Sequence, residues 1–426
     1  MKQFTAIVLA AGKGKRMNSA QPKVLESLMG KPLIYYVIAE LLLLKKQVKQ
    51  IVVVTGYKGE LVKKEVRNNF PEVLHYLEFV NQKKLDGTAK AVQLGSKKAK
   101  HGNILVVCGD TPLITNLTLK KFIASYLRKK LACCVLTAVM ERENSLGLIV
   151  YDKFGKLKSI TEKIELKNSR RGLLIFGEVN SGIYCFERKT LVKNLAKIKM
   201  NKRKKEYFLT DIVEILYQQK AILGSYLLPS FQEITGINSK QDLALARRLM
   251  QRRIIESLIN RGVNVIDPET TFIEAGVKVG KNTVIYPFTF IEKGVIIGSC
   301  CSLGPFARLR KGTSIGDNSH IGDFIELNRS KIGRNVRMKH FGYIGDAVVE
   351  DNVNIGAGTV TANFDGKLKQ KTYIRKGSFI GSDTILVAPL EVGKNSTTGA
   401  GSVVTRNVKS GTVVVGVPAK KLKKRG

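Results

Sequence analysis

A sixfold period constrains this chain more than any other feature of its sequence. Val279, Ile285, Ile291, Ile297, Leu303, Leu309, Ile315, Ile321 and Leu327 recur at intervals of six residues, and Gly follows at 280, 298, 304, 316 and 322. The register slips by one at Ile332, passes through Met338 and Ile344, and returns as Ile374, Ile380, Leu386, Val392, Thr398 and Val404. An α-helix repeats its faces every ~3.6 residues and a strand every second residue, so neither accounts for hexads. Hexads with small turn residues specify a parallel β-helix, in which each supplies one short strand and turns one aliphatic side chain inward. Coils stacked this way bury a continuous aliphatic core with little use for large rings. An aromatic content of 7% and the lack of Trp fit that demand.

The N-terminal half follows other periods. Apolar runs over 6–10, 51–55, 104–107 and 134–139 have strand character, whereas 33–44 and 118–127 have helical length and spacing. Repeated β-α alternation implies a largely parallel sheet with helices on both faces. Between the halves, Ser239 and Asp242 stand at capping-box spacing, and Leu243, Ala246, Met250, Ile254 and Leu258 continue at helical intervals until Gly262. The 426 residues suffice for two or three domains. The boundaries expected are an α/β domain over 1–230, a linker with a connecting helix over 231–262, a β-helix over 263–419 and a basic tail over 420–426.

Lys and Arg number 72 against 34 Asp and Glu, a net charge of +38. Such a balance raises nucleic acid as a partner. The cations are spread along the chain without the interleaved aromatics of a single-strand groove, so the expectation is a generally basic surface suited to small polyanionic substrates, with no specific nucleic acid. Cysteines 108, 133, 134, 185, 300 and 301 form no C-x-x-C, which suggests neither a zinc site nor a disulfide framework and fits a cytoplasmic protein. No apolar stretch approaches the ~20 residues of a membrane span, and the apolar run over 4–11 is short for a signal peptide.

The segment Leu9-Ala10-Ala11-Gly12-Lys13-Gly14-Lys15-Arg16-Met17 follows the first expected strand, where open α/β sheets bind ligands. Gly12 and Gly14 would let backbone N–H groups approach phosphate oxygens while Lys13, Lys15 and Arg16 neutralise charge. Met17 excludes G-x-G-x-x-G, and no Lys-Ser/Thr ending makes a P-loop; a basic surface turn is the plain alternative. Pro22-Lys23-Val24-Leu25 close behind favours the phosphate site. Asp110, after an apolar run and Gly109, stands well for a Mg²⁺ ligand, although an Asp there also serves as a turn former.

Together these segments resemble the signature of sugar nucleotidyltransferases. The resemblance continues through Gln82, Gly87-Thr88, Cys108-Gly109-Asp110-Thr111-Pro112-Leu113, Glu162-Lys163, Val179-Asn180-Ser181-Gly182, Glu206-Tyr207-Phe208-Leu209-Thr210-Asp211 and Gly236-Ile237-Asn238. It implies a Rossmann-like nucleotidyltransferase domain with a mainly parallel sheet. By this resemblance Ala10, Ala11, Gly12, Lys23, Gln82, Gly87 and Thr88 would hold the nucleotide, and Gly147, Glu162, Asn180 and Thr210 the sugar. Asn238 would join Asp110 on Mg²⁺. In such chemistry a sugar phosphate attacks the α-phosphorus of a nucleoside triphosphate, so two anions must be aligned and the leaving group's charge offset. Arg16 and Lys23 suit those catalytic roles, and no general base is needed because the attacking phosphate is already ionised.

The repeat half narrows the resemblance to the bifunctional uridylyltransferase and acetyltransferase family of bacterial envelope synthesis. The matching segments are Gly304-Pro305-Phe306-Ala307-Arg308-Leu309-Arg310, Lys339-His340-Phe341-Gly342-Tyr343-Ile344-Gly345-Asp346, Asn354-Ile355-Gly356-Ala357-Gly358-Thr359, Asn363-Phe364-Asp365-Gly366 and Gly381-Ser382-Asp383. This implies a left-handed parallel β-helix of hexapeptide repeats, a homotrimer, and UTP, acetyl-CoA and amino-sugar 1-phosphates as substrates. Acetyl transfer needs a proton acceptor for the attacking amine, and His340, with the motif around it, suits that role. By resemblance Glu326 would orient its imidazole, Arg310, Tyr343, Asn354 and Lys369 would bind the acetyl acceptor, and Ala357, Asn363, Ser382 and Ala400 acetyl-CoA. Residues 363–373 break the hexads and are expected to form a loop projecting toward a ligand.

The chain also departs from that family. Asn328, followed by Arg329, stands where the family has a phosphate-binding Lys, Ser145 to Ile149 lacks the usual Gly-Tyr-Gly-Arg, and the C-terminus is short. Two other readings stay open at this level: a nucleotidyltransferase whose β-helix only assembles subunits, and a catalytically silent interaction protein built on the same folds.

Overall fold

The computed structural model describes residues 2–140, 146–162 and 177–422; Ser145, Lys163 and the terminal Lys423, Lys424 and Arg425 lie outside them. The chain divides into two compact units, Met1–Arg247 and Arg248–Gly426, and the helix Lys240–Ile259 runs across the boundary. Its start is a reciprocal capping box. Ser239 Oγ accepts the Asp242 N–H at 3.1 Å, and Asp242 Oδ2 accepts the N–H groups of Ser239 at 2.8 Å and Asn238 at 2.9 Å. Leu243 and Ala246 are buried in the first unit, and Ile255 and Leu258 belong to the core of the second.

The first unit is built on a twisted sheet in the order Leu223–Leu228, Cys133–Met140, Gly177–Glu187, Asn103–Cys108, Phe4–Ala10, Val48–Thr55, Leu77–Asn81. Pairing is parallel except around Gly177–Glu187, which runs antiparallel to both neighbours. Alternate residues of the central strand serve opposite faces: Phe4, Ala6, Val8 and Ala10 join one apolar cluster and Ile7 the other. Both faces are covered, as a strand buried on two sides requires. The loops that carry the phosphate-binding motifs leave this sheet at the carboxyl ends of Phe4–Ala10 and Asn103–Cys108.

The second unit is a β-helix of stacked coils with three sheets of 10, 8 and 7 strands, nearly all two or three residues long and parallel. Each hexad turns one aliphatic inward; Ile285, Ile291, Leu303, Leu309, Ile321 and Leu327 are fully buried in one continuous cluster. Buried hydroxyls tie the turns to the next coil, as where Thr283 Oγ1 donates to the Gly298 carbonyl at 2.8 Å and Ser396 Oγ to that of Lys409 at 2.8 Å. Outside, Phe288, Phe306 and Phe324 stack at 4.9 Å spacing from φ angles of 58°, 57° and 51°. Left-handed backbone costs a bulky residue about 1–2 kcal/mol, which ring stacking of about 0.5–1.5 kcal/mol offsets.

Beyond the first coil, where Val265 to Ile273 spans eight residues, the period is perturbed at the corner between the second and third sheets. Leu327 to Ile332 is one residue short, as the hexad slip indicates, and Ile344 to Val349 is short again, so partners there are 17 residues apart, as in Ser314↔Lys331 and Lys331↔Val348. The same corner on the next coil carries the long excursion between Val360–Ala362 and Thr372–Ile374, whose residues 364–369 are exposed and bridged at Phe364↔Lys369. Reading the hexads alone passes over the second shortening, because Met338 and Ile344 keep the spacing of six.

Arginines link the coils. Arg329 forks onto Asp346 at 2.6 and 2.7 Å, Arg375 joins Glu350 at 2.9 Å and Glu391 at 2.7 Å, and Arg334 reaches Asp351 at 3.1 Å. The hydrogen bond from Arg329 holds Asp346 below the usual carboxylate range, and those from Arg375 do the same for Glu391; the Lys376 backbone N–H leads for Glu350, and the Arg334 backbone N–H for Asp351. Groups with depressed pKa values stabilise fully above their unfolded values, about 4, and that stability is lost as pH falls through the folded values.

Two outcomes are expected. Thermal unfolding of the repeat unit shifts to lower temperature between about pH 5 and pH 3, and Asp346→Asn flattens that shift; an equal acid limb in the variant would show that this pair adds nothing. Ile321→Ala costs about 2–5 kcal/mol in denaturant unfolding, and a loss below about 0.5 kcal/mol is incompatible with a close-packed coil interior.

Candidate active sites

The backbone of the first loop is shaped by what crosses it. Gly14 adopts φ 67°, and a Cβ there would lie 2.5 Å from Lys23 Cβ, so only glycine lets the two turns close together. Gly87, at φ 115°, would put a Cβ 2.4 Å from the Tyr207 carbonyl oxygen. The Tyr207 N–H donates to Asp86 O at 2.8 Å and the Ala89 N–H to Tyr207 O at 3.0 Å, which stitches the 206–209 segment across the site.

Between these loops lies a cavity of about 510 Å³, lined by residues 9–14 together with Lys23, Gln82, Gly87, Thr88, Asp110 and Glu206 among others. It therefore gathers Ala10, Ala11, Gly12, Lys23, Gln82, Gly87 and Thr88, all expected around a nucleotide. Gln82 Nε2 donates to Asp86 Oδ1 and Gly87 O, both at 3.2 Å, and Thr88 Oγ1 accepts the Leu209 N–H at 3.0 Å. Gly12 has open space in front of its Cα. Arg16 does not line the cavity; it is exposed on the turn Lys15–Met17.

At the cavity floor Lys23 Nζ forms an ion pair with Asp110 Oδ2 and donates to Asn238 Oδ1 at 2.9 Å. Cys108, also in the lining, has its thiol pushed up to about 12 by desolvation and by the Asp110 carboxylate, so it is a neutral wall and no nucleophile. The sugar residues fall into two bonded pairs: the Asn180 N–H donates to the Gly147 carbonyl at 2.8 Å, and Thr210 Oγ1 to Glu162 Oε1 at 3.0 Å. Glu206 went unassigned from sequence although it stands in a matching segment; nothing in its spacing shows that it turns into the cavity.

On the β-helix, His340 is exposed at a corner between the first and second sheets. Met338, Ile355, Ile380 and Thr398 are paired inward residues of consecutive coils, and His340, Ala357, Ser382 and Ala400 each follow one of them by two positions. Backbone bonds tie this edge together, from Gly358 to Phe341 O at 2.8 Å, from Asp383 to Ala357 O at 2.6 Å and from Gly401 to Ser382 O at 2.8 Å. One column thus leads from His340 along Ala357, Ser382 and Ala400, three of the four residues expected at acetyl-CoA, while Asn363 lies at the corner between the second and third sheets.

The expected acceptor residues are only partly united. Tyr343 lies on the second sheet and Arg310 directly follows that sheet's strand Arg308–Leu309, its Nη1 donating to Glu326 Oε1 at 2.8 Å. Glu326 is thus engaged by Arg310 and makes no bond to His340. Asn328 Nδ2 reaches Tyr343 Oη at 3.5 Å, Arg329 Nη1 donates to Asn328 Oδ1 at 3.0 Å, and Asp346 Oδ2 accepts Asn363 Nδ2 at 2.6 Å. Lys369 is close enough to lower the Asp346 pKa. Asn354, by contrast, is on the first sheet beside a separate cavity of about 390 Å³ lined by Asn318, Asn335, Arg337, Asn352 and Val353. Sequence reasoning missed Asp346 as the hub of this cluster; the second shortened hexad beside it was the available signal.

Comparison with known proteins covers both units. Residues 5–231 match the nucleotidyl transferase family, residues 276–311 the bacterial transferase hexapeptide family of six repeats, and residues 373–406 the hexapeptide repeat of succinyl-transferase. Among full-length relatives, the Bifunctional protein GlmU of a Geobacillus strain is 36% identical over 95% of this chain and 93% of its own. Those of Thermosipho melanesiensis and Streptococcus uberis are 37% and 34% identical, each over 96% of this chain and covered to 94% and 95%. A mainly parallel α/β sheet bearing a glycine-rich basic cavity, joined to hexapeptide coils along the whole length of these relatives, places the chain in the bifunctional GlmU family, a nucleotidyltransferase and an acetyltransferase in one polypeptide.

Proposed function

We propose that the second unit transfers an acetyl group from acetyl-CoA to glucosamine-1-phosphate and that the first then transfers uridylyl from UTP to N-acetylglucosamine-1-phosphate, releasing pyrophosphate. The observation that carries the first half is the cavity in which Gly12, Gly14, Lys13 and Lys23 face Asp110. A sugar phosphate oxygen bonds to the α-phosphorus, the bond to the β-phosphate breaks, and its electron pair leaves with pyrophosphate. Backbone N–H groups of the glycine loop and the cations Lys13 and Lys23 of the lining offset the charge that accumulates, and Arg16 joins them on swinging in from its exposed turn. Gln82, Gly87 and Thr88 enclose the base and ribose, and Gly147, Glu162, Asn180 and Thr210 the sugar.

Mg²⁺ fits the floor of this site. Asp110 and Asn238 supply hard oxygens that already converge on one cation, the Lys23 ammonium. Among the described residues no three His, Cys, Asp or Glu gather to cage a metal, so phosphate and water would complete the shell. Bound there, the ion would lower the charge of the triphosphate.

At the β-helix corner the amine of the acceptor attacks the thioester carbonyl, the carbon–sulfur bond breaks, and CoA leaves as its thiolate. The exposed imidazole of His340 takes the proton the amine gives up. Ala357, Ser382 and Ala400 continue from it as a small-residue edge for the pantetheine chain, while Asn363 stands at the other corner with Asp346. Arg310, Tyr343 and Lys369 hold the acceptor, its phosphate on the cations. Asn354 lies on another sheet, so one protomer does not assemble the full acceptor set, and a homotrimer in which neighbouring copies complete it is the oligomer we favour. Among the described residues no helix is long and apolar enough to cross a membrane.

The two centres are separable by mutation. Asp110→Asn lowers uridylyl transfer, measured as pyrophosphate release, by about 100-fold or more, with CoA release unchanged. His340→Ala lowers CoA release from acetyl-CoA and glucosamine-1-phosphate by about 10² to 10⁴, with pyrophosphate release unchanged. Loss of both activities in either variant would refute independent sites, and full acetylation by His340→Ala would remove His340 as the base.

A further inference from the structure

We propose that Lys23 is a latch on the cation-binding oxygens of the first unit, its ammonium standing where a divalent ion binds, so that metal entry and release of Lys23 toward the phosphates are one exchange. The proposal rests on the reading of Asp110 and Asn238 as metal ligands. Lys23 Nζ is paired with Asp110 Oδ2 and lies 2.9 Å from Asn238 Oδ1, so a single cation already bridges the two oxygens. The side chains of Lys23 and Asp110 are only 14% and 18% exposed, which makes their attraction stronger than it would be in open water.

The residues carrying the two oxygens are tied through their own backbone and amide groups, whereas the Lys23 ammonium is tied only to those oxygens. Asp110 is fixed through its carbonyl, which accepts the Ile237 N–H at 2.9 Å. The Asn238 N–H donates to Asp242 Oδ2 at 2.9 Å and its Nδ2 to Gly236 O at 3.3 Å, which leaves Oδ1 facing Lys23. The Lys23 stem from Cβ to Cδ packs against Gly14, whereas its ammonium is held only by the two side-chain oxygens and borders the cavity shared with Gly12 and Lys13. Before substrate arrives, the ammonium therefore neutralises Asp110 at no cost in bound ion. A divalent cation entering between the oxygens repels the ammonium into the region lined by the glycine loop, where a polyphosphate is its next partner. By linkage, phosphate that draws Lys23 away also clears the two oxygens for metal.

The test is Mn²⁺ binding to the full-length protein without nucleotide, read as the loss of the free-ion EPR signal and repeated with Mg²⁺ as competitor. Lys23→Met keeps the stem against Gly14 and removes the ammonium, and Lys13→Met removes a charge from the same cavity without uncovering either oxygen. Lys23→Met is expected to bind Mn²⁺ about tenfold more tightly than wild type, and Lys13→Met to stay within about twofold. Affinity in Lys23→Met no higher than wild type, or equal tightening in both variants, would overturn the latch, since the second result needs only loss of charge. Asp110→Asn distinguishes the underlying reading: if it binds Mn²⁺ like wild type, the two oxygens are no metal site and the proposal fails with them. Thermal melting identifies a misfolded variant, and Lys23→Gln then takes the place of Lys23→Met under the same criteria.

Discussion

A parallel strand pair cannot be closed by a tight hairpin, because the chain must travel back before it pairs again. Both units meet that constraint, and both place their chemistry where the return path leaves the sheet. In the first unit the returns are helices, and the loops after Phe4–Ala10 and Asn103–Cys108 bring Gly12, Gly14 and Asp110 to one end of the sheet. In the second the returns are the other two faces of the coil, so corners come into line at each turn and His340, Ala357, Ser382 and Ala400 share an edge. Residues far apart in sequence are neighbours because backbone ladders hold them, and their side chains remain free to meet a ligand.

Polar placement follows the same rule with an electrostatic addition. The chain has fewer than half as many acids as bases, so cations are at hand for the carboxylates that seek them. In the β-helix Asp346, Glu350, Asp351 and Glu391 are engaged by arginines of neighbouring coils. In the first unit Asp110 is engaged by Lys23 within the cavity itself. An excess of cations thus leaves phosphate-binding surface in plenty, and because Asp110 is one of the carboxylates so claimed, a metal must contend for it.

Legibility in the sequence followed the same division between backbone and side chain. Inward positions such as Leu309, Ile321 and Leu327 are readable because a hexad fixes which side chain turns in, and the strands over 6–10 and 104–107 because buried parallel strands are apolar throughout. The loop glycines were readable as phosphate-binding, and the structure adds why Gly14 and Gly87 have no substitute: Lys23 and Tyr207 pass too close. Partners of outward polar groups were not readable. Glu326 bonds Arg310 and leaves His340 alone, Asn354 falls on a different sheet from Tyr343, and Arg16 stands outside the cavity lining. Each depends on the offset between coils or loops, which a single residue more or less will alter.

In the middle of the stack that offset is adjusted at one corner. Two consecutive coils lose a residue there and the third gains the excursion from Asn363 to Lys371, yet the inward ladder of the second sheet continues through Ile344, Thr361 and Leu386. The coil tolerates such editing because its strands are specified by the turns above and below, not by the length of the chain between them. The edge can therefore be lengthened, trimmed or recomposed while the scaffold that carries it stays untouched. Substrate preference in such a fold can drift by changes in loop length as readily as by changes of side chain.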